Sequence, residues 1–293
     1  MGKLLWTQRE DIGPIARRFP GTAYDAARHR VVLFGGLASA ATTLFNDTWA
    51  WNGELWTELQ DIGPSARAGH ALGFDSIRER VVLFGGTDGG STPLADTWEW
   101  DGTEWTQMAD TGPSGRIGHA MTFDSKIKRV VLFGGFSNQQ LGDTWSWDGT
   151  EWTQEQDTGP TARVFHALAY DAVRDRVVLF GGSTGTSLLD DTWEWEGSQW
   201  SQISGTGPAP RVGHGMVFDG TQVLLFGGAS SGGFFGDTWS WDSEHWTQIL
   251  DIGPGPRLFA AMVYDSDRSR TVLFGGTNGS VDLGDTWELY THS

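Results

Sequence analysis

The chain has 293 residues, of which 17 are Trp and 42 are Gly; it has no Cys, and its formal net charge is −17 at pH 7. The lack of Cys excludes disulfides, thiolate metal sites and cysteine nucleophiles, and the acidic balance argues against nucleic acid or an anionic membrane as a partner. No apolar run approaches the roughly 18 residues that a membrane-spanning helix needs.

The first predicted element is a short strand at Trp6-Thr7-Gln8, and residues 1–5 run directly into it. A secretory signal would need a longer apolar segment followed by small residues. No export signal is therefore expected in this chain. The sequence leaves two locations possible: the cytoplasm, or an exported protein whose signal has already been removed.

After this strand, one pattern recurs six times with a period of roughly 48 residues, which lies in the range of propeller blades. An apolar segment ends in Gly-Gly at residues 35, 85, 134, 181, 227 and 275. The triplet Asp-Thr-Trp begins at residues 47, 96, 143, 191, 237 and 285. The repeats therefore account for nearly the whole chain.

Each repeat predicts four short strands, which we label a to d. In the third repeat they are residues 116–124, 129–135, 143–148 and 151–154. Their residues are mainly β-branched and aromatic, and Gly, Pro, Asp or Asn separates them. Nothing has the 3.6-residue apolar period of a helix. The sequence therefore predicts four-stranded antiparallel units.

A strand that ends in Gly-Gly, followed by aromatic residues at set distances and closed by a Trp, resembles the kelch repeat. One departure is the Trp-x-Trp of strand c, where many kelch repeats have Tyr. The resemblance implies an all-β fold, a single six-bladed β-propeller over residues 1–293. The predicted blades cover about residues 15–58, 65–107, 114–154, 161–202, 209–248, and 255–291 together with 4–9.

The register of the two ends predicts how the ring closes. The chain starts with a strand d at Trp6 and ends with a strand c at residues 285–290 that has no strand d after it. The N-terminal strand is therefore expected to complete the last blade, which removes the open edges of the ring.

The first residue of strand a is Arg in every repeat, and strand a is expected to surround the mouth of the central channel. These residues are Arg17, Arg67, Arg116, Arg163, Arg211 and Arg257. Six guanidiniums there could bind carboxylate or phosphate groups, as similarly placed Arg residues do in some kelch domains. The alternative is structural: each Arg pairs with loop residues such as Asp61, Asp110, Asp157 and Asp251, or caps backbone carbonyls.

Three residues further on stand His70, His119, His166 and His214, with Pro20 and Ala260 in the other two repeats. A ring of His could bind a metal or move protons. However, strand a side chains alternate between the two neighbouring blades, which favours hydrogen bonds between blades. We predict no catalytic residue, no metal site and no cofactor. The Asp of Asp-Thr-Trp is predicted to bond local backbone N–H groups.

The loops between strands b and c vary in length and sequence, and variable loops on a fixed scaffold are where recognition is expected. These b–c loops lie on the same predicted face as the d–a loops, which we call the top. Three apolar residues in them do not repeat and are candidate rim contacts: Leu44, Leu188 and Phe234. Exposed apolar groups often mark contact surfaces.

Three functions fit this pattern. The first is a monomeric, non-catalytic binding module whose top face holds an acidic peptide, a protein partner or a small anion. The second is an enzyme on the same fold, an isomerase or lyase for a carboxylated or sugar-acid substrate; a copper oxidase site is excluded because Cys is lacking. The third is an amplified or designed scaffold, favoured by the near identity of residues 96–111 and 143–158. Fold alone cannot choose among them.

Overall fold

The structure, a computed structural model, describes residues 3–9, 12–39, 42–60, 62–109, 111–156, 158–203, 206–250 and 252–292. Six four-stranded antiparallel sheets form the ring, which confirms the predicted six-bladed propeller. Over these ranges, no helix has the length and apolarity needed to cross a membrane.

The first half of the ring consists of three blades, each with its strands in the order a to d. Blade 1 contains β2 (Gly21–Asp25), β3 (Arg30–Phe34), β6 (Thr48–Trp51) and β7 (Trp56–Gln60), and its b–c loop forms the small hairpin β4 (Leu37–Ala38) and β5 (Thr43–Leu44). Blade 2 contains β8 (Ala71–Asp75), β9 (Arg80–Phe84), β10 (Thr97–Trp100) and β11 (Trp105–Ala109). Blade 3 contains β12 (Ala120–Asp124), β13 (Arg129–Phe136), β14 (Gln140–Trp147) and β15 (Trp152–Gln156).

The second half of the ring follows the same plan. Blade 4 contains β16 (Ala167–Asp171), β17 (Arg176–Phe180), β18 (Thr192–Trp195) and β19 (Trp200–Ile203). Blade 5 contains β20 (Gly215–Phe218), β21 (Val223–Phe226), β24 (Thr238–Trp241) and β25 (Trp246–Leu250), with the hairpin β22 (Ala229–Ser230) and β23 (Gly233–Phe234). Blade 6 contains β26 (Ala261–Asp265), β27 (Arg270–Phe274), β28 (Thr286–His292) and β1 (Lys3–Arg9).

Strand b is the core of each blade. In β13 the run from Val130 to Phe133 is completely buried, because neighbouring blades cover both faces of a middle strand. A short continuous apolar run is what such a strand requires. Strand b therefore has the sequence Val-Val-Leu-Phe in four of the blades rather than an alternating pattern.

Strand a begins later than predicted. In blade 3 it begins at Ala120 instead of Arg116, because Gly118 has a φ of +63° and interrupts the extended backbone. The residues before it make an isolated bridge between Ile117 and Phe136. This interruption decides which side chains reach the channel.

A ring of hydrogen bonds joins neighbouring blades. The Trp at the start of strand d donates from Nε1 to the hydroxyl of a Thr in strand c of the preceding blade, the Thr of Asp-Thr-Trp. Trp105, for example, donates to Thr48 at 2.9 Å. The same bond recurs at every junction: Trp56 to Thr286, Trp105 to Thr48, Trp152 to Thr97, Trp200 to Thr144, Trp246 to Thr192 and Trp6 to Thr238.

The N-terminal strand closes the ring, as predicted. The strand β1 pairs with β28 over seven residues, from Lys3 opposite His292 to Arg9 opposite Thr286. Trp6 is 5% exposed and packs against Phe226 of the preceding blade. Strand pairing and apolar packing from both chain ends therefore stabilise blade 6.

Candidate functional site

The d–a and b–c loops share the top face. The N–H of Arg116, at the end of a d–a loop, donates to the carbonyl of Leu94 in a b–c loop at 3.2 Å. The b–c loop residue Gly236 likewise lies against the d–a loop residue Pro256. Strand parity places the a–b and c–d loops at the opposite end, which we call the bottom.

The six arginines lie buried within their own blades. The guanidinium of Arg116 donates from Nη1 and Nη2 to the two carboxylate oxygens of Asp143, at 2.7 and 2.9 Å. Nη1 also donates to the carbonyl of Gly134 and Nε to that of Ser114, both at 2.9 Å. The other five arginines, between 0 and 3% exposed, repeat this with Asp47, Asp96, Asp191, Asp237 and Asp285.

The carboxylate in each pair is the Asp of Asp-Thr-Trp, which we predicted to bond local backbone N–H groups. It accepts from the Arg and from the indole two residues later, as Asp143 does from Trp145 at 2.7 Å. Burial raises the pKa of Asp143, but the hydrogen bonds and positive charge of Arg116 outweigh burial and bring that pKa below its usual value. The pair is therefore charged and bidentate.

These bonds favour the structural interpretation of the arginines, with different partners from those the sequence suggested. Asp61, Asp110, Asp157 and Asp251 lie outside the described residues. Ligand binding by Arg17, Arg67, Arg116, Arg163, Arg211 and Arg257 stays a prediction. Since each guanidinium is buried and already holds a carboxylate and two carbonyls, a ligand would have to replace that pair.

Replacing Arg116 by Ala is expected to reduce the free energy of unfolding by about 3–5 kcal/mol, because Asp143 would keep a largely buried charge without its partner. Urea unfolding at pH 7 measures this change. The double variant Arg116→Ala/Asp143→Ala should recover part of the loss. An unchanged stability in Arg116→Ala would show that the guanidinium is free for another role.

Three phenylalanines close the top of the channel. The rings of Phe19 and Phe259 stack at 3.8 Å between centroids, and Phe165 lies 5.7 Å and 5.0 Å from them. All three have φ between 57° and 60°, a backbone region that bulky residues rarely adopt and that is often found at functional sites. These residues, two positions after the Arg, line the mouth that the arginines were expected to surround.

The other three blades have Gly at this position, which makes room for the rings. A Cβ atom added to Gly118 would lie 2.6 Å from the ring of Phe165, and one added to Gly213 would lie 2.6 Å from the ring of Phe259. Real Cβ contacts are essentially never shorter than 3.0 Å. At these two junctions the Gly of one blade is therefore complementary to the Phe of the next blade, and the sixfold symmetry of the repeats ends at the mouth.

Below the phenylalanines, the four histidines surround a small cavity of about 130 Å³. Each ring packs edge-on against a Phe of the preceding blade, as His119 does against Phe84 at 5.6 Å. Burial, together with the positive charge of a neighbouring Arg, lowers the pKa of His70 and of His214 to about 3. The same causes hold the pKa of His119 and of His166 well below the ordinary value. All four are therefore neutral at physiological pH, as interblade packing requires.

The lower channel is a wider cavity of about 430 Å³ that opens toward the bottom face. Apolar side chains such as Met121, Met216 and Met262 line it. The titratable groups in its lining are the phenols of Tyr24, Tyr170 and Tyr264. Across the described ranges, no group of three His, Asp or Glu residues could hold a metal ion.

The predicted rim residues take different positions. Leu44 lies in the hairpin of blade 1 and lies over Gly89 of blade 2, 3.6 Å from a Cβ built there. Phe234 occupies the equivalent place in blade 5, is 37% exposed and covers Gly279. Leu188 is half-buried and forms a bridge with Ser183.

Leu44 lines a pocket on the top face that breaks the symmetry of the ring. Its volume is about 480 Å³, and Phe19 and Phe165 contribute aromatic surface to it. Leu37, Ala68 and Ile117 add further apolar surface, and Asp88 is the charged residue in the lining. Pockets of this size, mostly apolar with a few polar groups, are typical of ligand sites.

Large apolar residues are exposed along one arc of the top face. The d–a loops at the junctions of blades 5 and 6, 6 and 1, and 1 and 2 present Ile252, Ile12 and Ile62, which are 80, 95 and 74% exposed. The equivalent positions at the other three junctions are Thr111, Thr158 and Thr206. We call the residues Ile12, Ile15, Ile62, Phe234, Ile252 and Val281, all of them exposed, the apolar arc.

Of the residues that form the pocket and the apolar arc, only Leu44 and Phe234 were identified from the sequence, and the others were missed. The signal was present as differences between repeats: Phe or Gly two residues after the Arg, and Ile or Thr before the Gly-Pro of the d–a loop. Comparing the repeats position by position would have found both. The pocket also depends on the direction of the Phe side chains, which the left-handed backbone at the mouth determines.

A family model described as the KLHDC2/KLHL20/DRC7 Kelch-repeats domain matches residues 21–158 and 143–293. The two matches overlap, and together they extend over the six repeats. No curated protein shows a significant match to the chain.

Proposed function

Since this chain belongs to the kelch-repeat family, we propose that it is an interaction module that binds a protein partner through its top face. Kelch propellers commonly bind proteins. The observation that carries the proposal is the apolar arc, because it places exposed apolar side chains on three consecutive junctions of one face. Large apolar side chains exposed on one face often mark protein contact sites.

The exposed fractions argue against a purely structural role for the arc. Ile12 is 95% exposed, so its side chain adds almost nothing to the stability of the free protein. The Thr residues at the other junctions show that the loop does not require an apolar side chain there. A partner that covers the arc would bury apolar surface that stays exposed in the folded protein, and this burial would favour binding.

The charge of the chain supports a partner surface with Lys or Arg around an apolar centre. The net charge is −17, so an acidic partner would be repelled at long range. An acidic peptide or small anion held by the six arginines stays a prediction. It is less well supported, because each guanidinium is paired within its own blade.

The cavities give less support to an enzyme. An acid–base catalyst needs a titratable group within reach of the substrate and a pKa near the working pH. The histidines below the mouth have strongly lowered pKa values, and His119 lies beneath the three phenylalanines. The lower channel is lined by apolar and phenolic side chains. An isomerase or lyase therefore stays the second hypothesis.

The triple variant Ile12→Thr/Ile62→Thr/Ile252→Thr is expected to lose partner binding while keeping its stability, because Thr occupies the equivalent sites. Peptides selected from a displayed random library of about 12-residue segments supply the partner, and calorimetry measures their affinity. If each Ile→Thr change removes about 1 kcal/mol of binding free energy, the affinity should be at least tenfold weaker.

The matched control is Leu55→Thr/Ile77→Thr/Val173→Thr, which removes three exposed apolar residues from bottom-face loops. It should bind the selected peptides as the parent protein does. Melting temperatures of both triple variants should equal that of the parent. Undiminished binding to the top-face variant, or a loss confined to the bottom-face variant, would contradict the proposed function.

A further inference from the structure

The apolar pocket exists because blade 2 has the smallest residues at two positions that line it. The two residues after the buried Arg of each repeat are Ala68 and Gly69 in blade 2. In the other blades this pair is Arg18-Phe19, Ile117-Gly118, Val164-Phe165, Val212-Gly213 and Leu258-Phe259. The volume that a Leu-Phe or Val-Phe pair fills elsewhere is therefore open above blade 2.

Gly69 differs from the other two glycines of the mouth. A Cβ added to Gly69 would have its closest contact at 3.4 Å, with Cβ of Ile117, which is an ordinary van der Waals distance. At Gly118 and Gly213 the added atom would meet a Phe ring at 2.6 Å. The space at Gly118 and Gly213 is thus used by a neighbouring ring, whereas no ring fills the space at Gly69, which lines the pocket.

The walls of the pocket come from several blades. The hairpin of blade 1 contributes Leu37 and Leu44, and the b–c loop of blade 2 contributes Thr87 and Asp88. Phe19 and Phe165, both with left-handed backbone, contribute aromatic rings. Aromatic rings prefer to pack on other aromatic rings in offset or edge-on arrangements. A planar aromatic side chain therefore fits this chemistry.

The charge at the pocket specifies what should flank that side chain. Asp88 is exposed, and one of its carboxylate oxygens accepts a hydrogen bond from the N–H of Gly90 at 2.9 Å. Asp88 is the charged residue among those that line the pocket, and the whole chain has a net charge of −17. A ligand with Lys or Arg beside its aromatic group would complement both.

We infer that this pocket holds an aromatic side chain of the protein partner, presented by a segment with basic residues on either side. The inference rests on the proposed function and makes it more specific: the apolar arc provides the broad contact, and the pocket provides the anchor. The arc reaches the junction of blades 1 and 2 at Ile62, which is the junction that the pocket occupies. Buried aromatic anchors of this kind commonly dominate the affinity of protein interfaces.

The probe is the acetylated and amidated pentapeptide Lys-Lys-Trp-Lys-Lys, compared with the same peptide containing Ser in place of Trp. Methyl NMR of the full chain should show saturable shifts at Leu44, Ala68 and Ile117 with the Trp peptide and not with the Ser peptide. Equal shifts with the Ser peptide would overturn the inference, because charge alone would then explain binding.

Two variants fill the pocket with residues that the other blades already use. Gly69→Phe places Phe at a φ of 70°, close to the 57–60° of the three existing phenylalanines. Ala68→Leu is the milder change, since Leu258 occupies that position in blade 6. Each should weaken binding of the Trp peptide at least tenfold. The control Val212→Leu introduces Leu at the equivalent position of the blade 5 repeat, away from the pocket, and should bind normally.

Further outcomes separate this inference from the proposed function. Normal binding of the Trp peptide to both filled variants would overturn the pocket, while the proposed function would stand on the Ile→Thr result. Equal binding of Glu-Glu-Trp-Glu-Glu would contradict the inferred preference for basic residues on either side of the aromatic group. Equal binding of free tryptophan amide would overturn a protein segment as the occupant and indicate a small molecule.

Discussion

Deleting residues 1–9 is expected to lower the melting temperature by at least about 10 °C and to broaden the transition. The deletion removes all seven residue pairs between β1 and β28. It also removes Trp6, and replacing a buried Trp by Ala alone costs about 3–5 kcal/mol. In a chain of this size each kcal/mol corresponds to about 2–4 °C. Calorimetric unfolding of the truncated protein measures the effect.

The loss should extend beyond blade 6. Trp6 donates to Thr238 of blade 5 at 3.0 Å, and the apolar cluster around it includes Val217, Leu224 and Phe226 of that blade. Without β1, strand β28 becomes an exposed edge that can pair with another molecule. Truncation is therefore expected to increase aggregation as well as to reduce stability.

A circular permutant tests whether β1 stabilises the ring through its contacts or through its position at the start of the chain. His292 lies opposite Lys3, so a two-residue Asn-Gly turn can join them, and the permuted chain then starts at residue 12. This protein keeps every contact of β1 and should melt near the temperature of the parent. If the truncated protein melts like the parent, β1 is not needed for closure and the interpretation is wrong.

The repeats predicted the parts of the fold that are common to all blades. Gly-Gly and Asp-Thr-Trp indicated the number of blades and the closure, because both recur with little change. The Arg–Asp pairing was not predicted, since the separation of the two residues varies from 26 to 30 along the chain. The b–c loop between them changes length, whereas the pair keeps the same geometry. Spacing alone therefore could not indicate that the two side chains meet.

The candidate site depends on what differs between blades, and there the sequence was a weaker guide. The left-handed backbone at Phe19 and its counterparts is unusual for Phe, so an extended strand was the reasonable prediction. That prediction placed the arginines at the mouth instead of the residues after them. The pocket above Gly69 depends on which glycine has a neighbour that fills its space, and only three-dimensional contacts decide this.

Acidification is expected to unfold the protein at a higher pH than buried carboxylates alone would require. Burial, with an added effect of Arg67, lowers the pKa of His70 to about 3, whereas an unfolded His titrates near 6.5. The folded pKa is the lower one, so the neutral form is favoured in the native state. The contribution of the neutral histidines to the free energy of unfolding is fully present above about pH 6.5. It falls as the pH decreases toward 3, because the unfolded chain binds protons that the folded chain cannot.

Four histidines share this environment, which makes the slope steep. Each contributes up to about 1.4 kcal/mol per pH unit, so the set can remove a typical stability of about 5–15 kcal/mol within about two or three units. Asp143 and the equivalent Asp residues with lowered pKa add their loss only below about pH 4. Unfolding should therefore begin between about pH 6 and 5, as followed by tryptophan fluorescence.

The variant His119→Gln/His166→Gln tests the assignment, because Gln is of similar polarity and does not titrate in this range. It should show about half the slope of stability against pH between 6 and 4, and a lower midpoint of acid unfolding. His245 is exposed in a c–d loop, so His245→Gln should leave both quantities unchanged. An unchanged acid midpoint in the double variant would show that the buried histidines do not control acid stability. Acid lability would then have to come from the carboxylates, and unfolding of both the parent and the variant would begin near about pH 4.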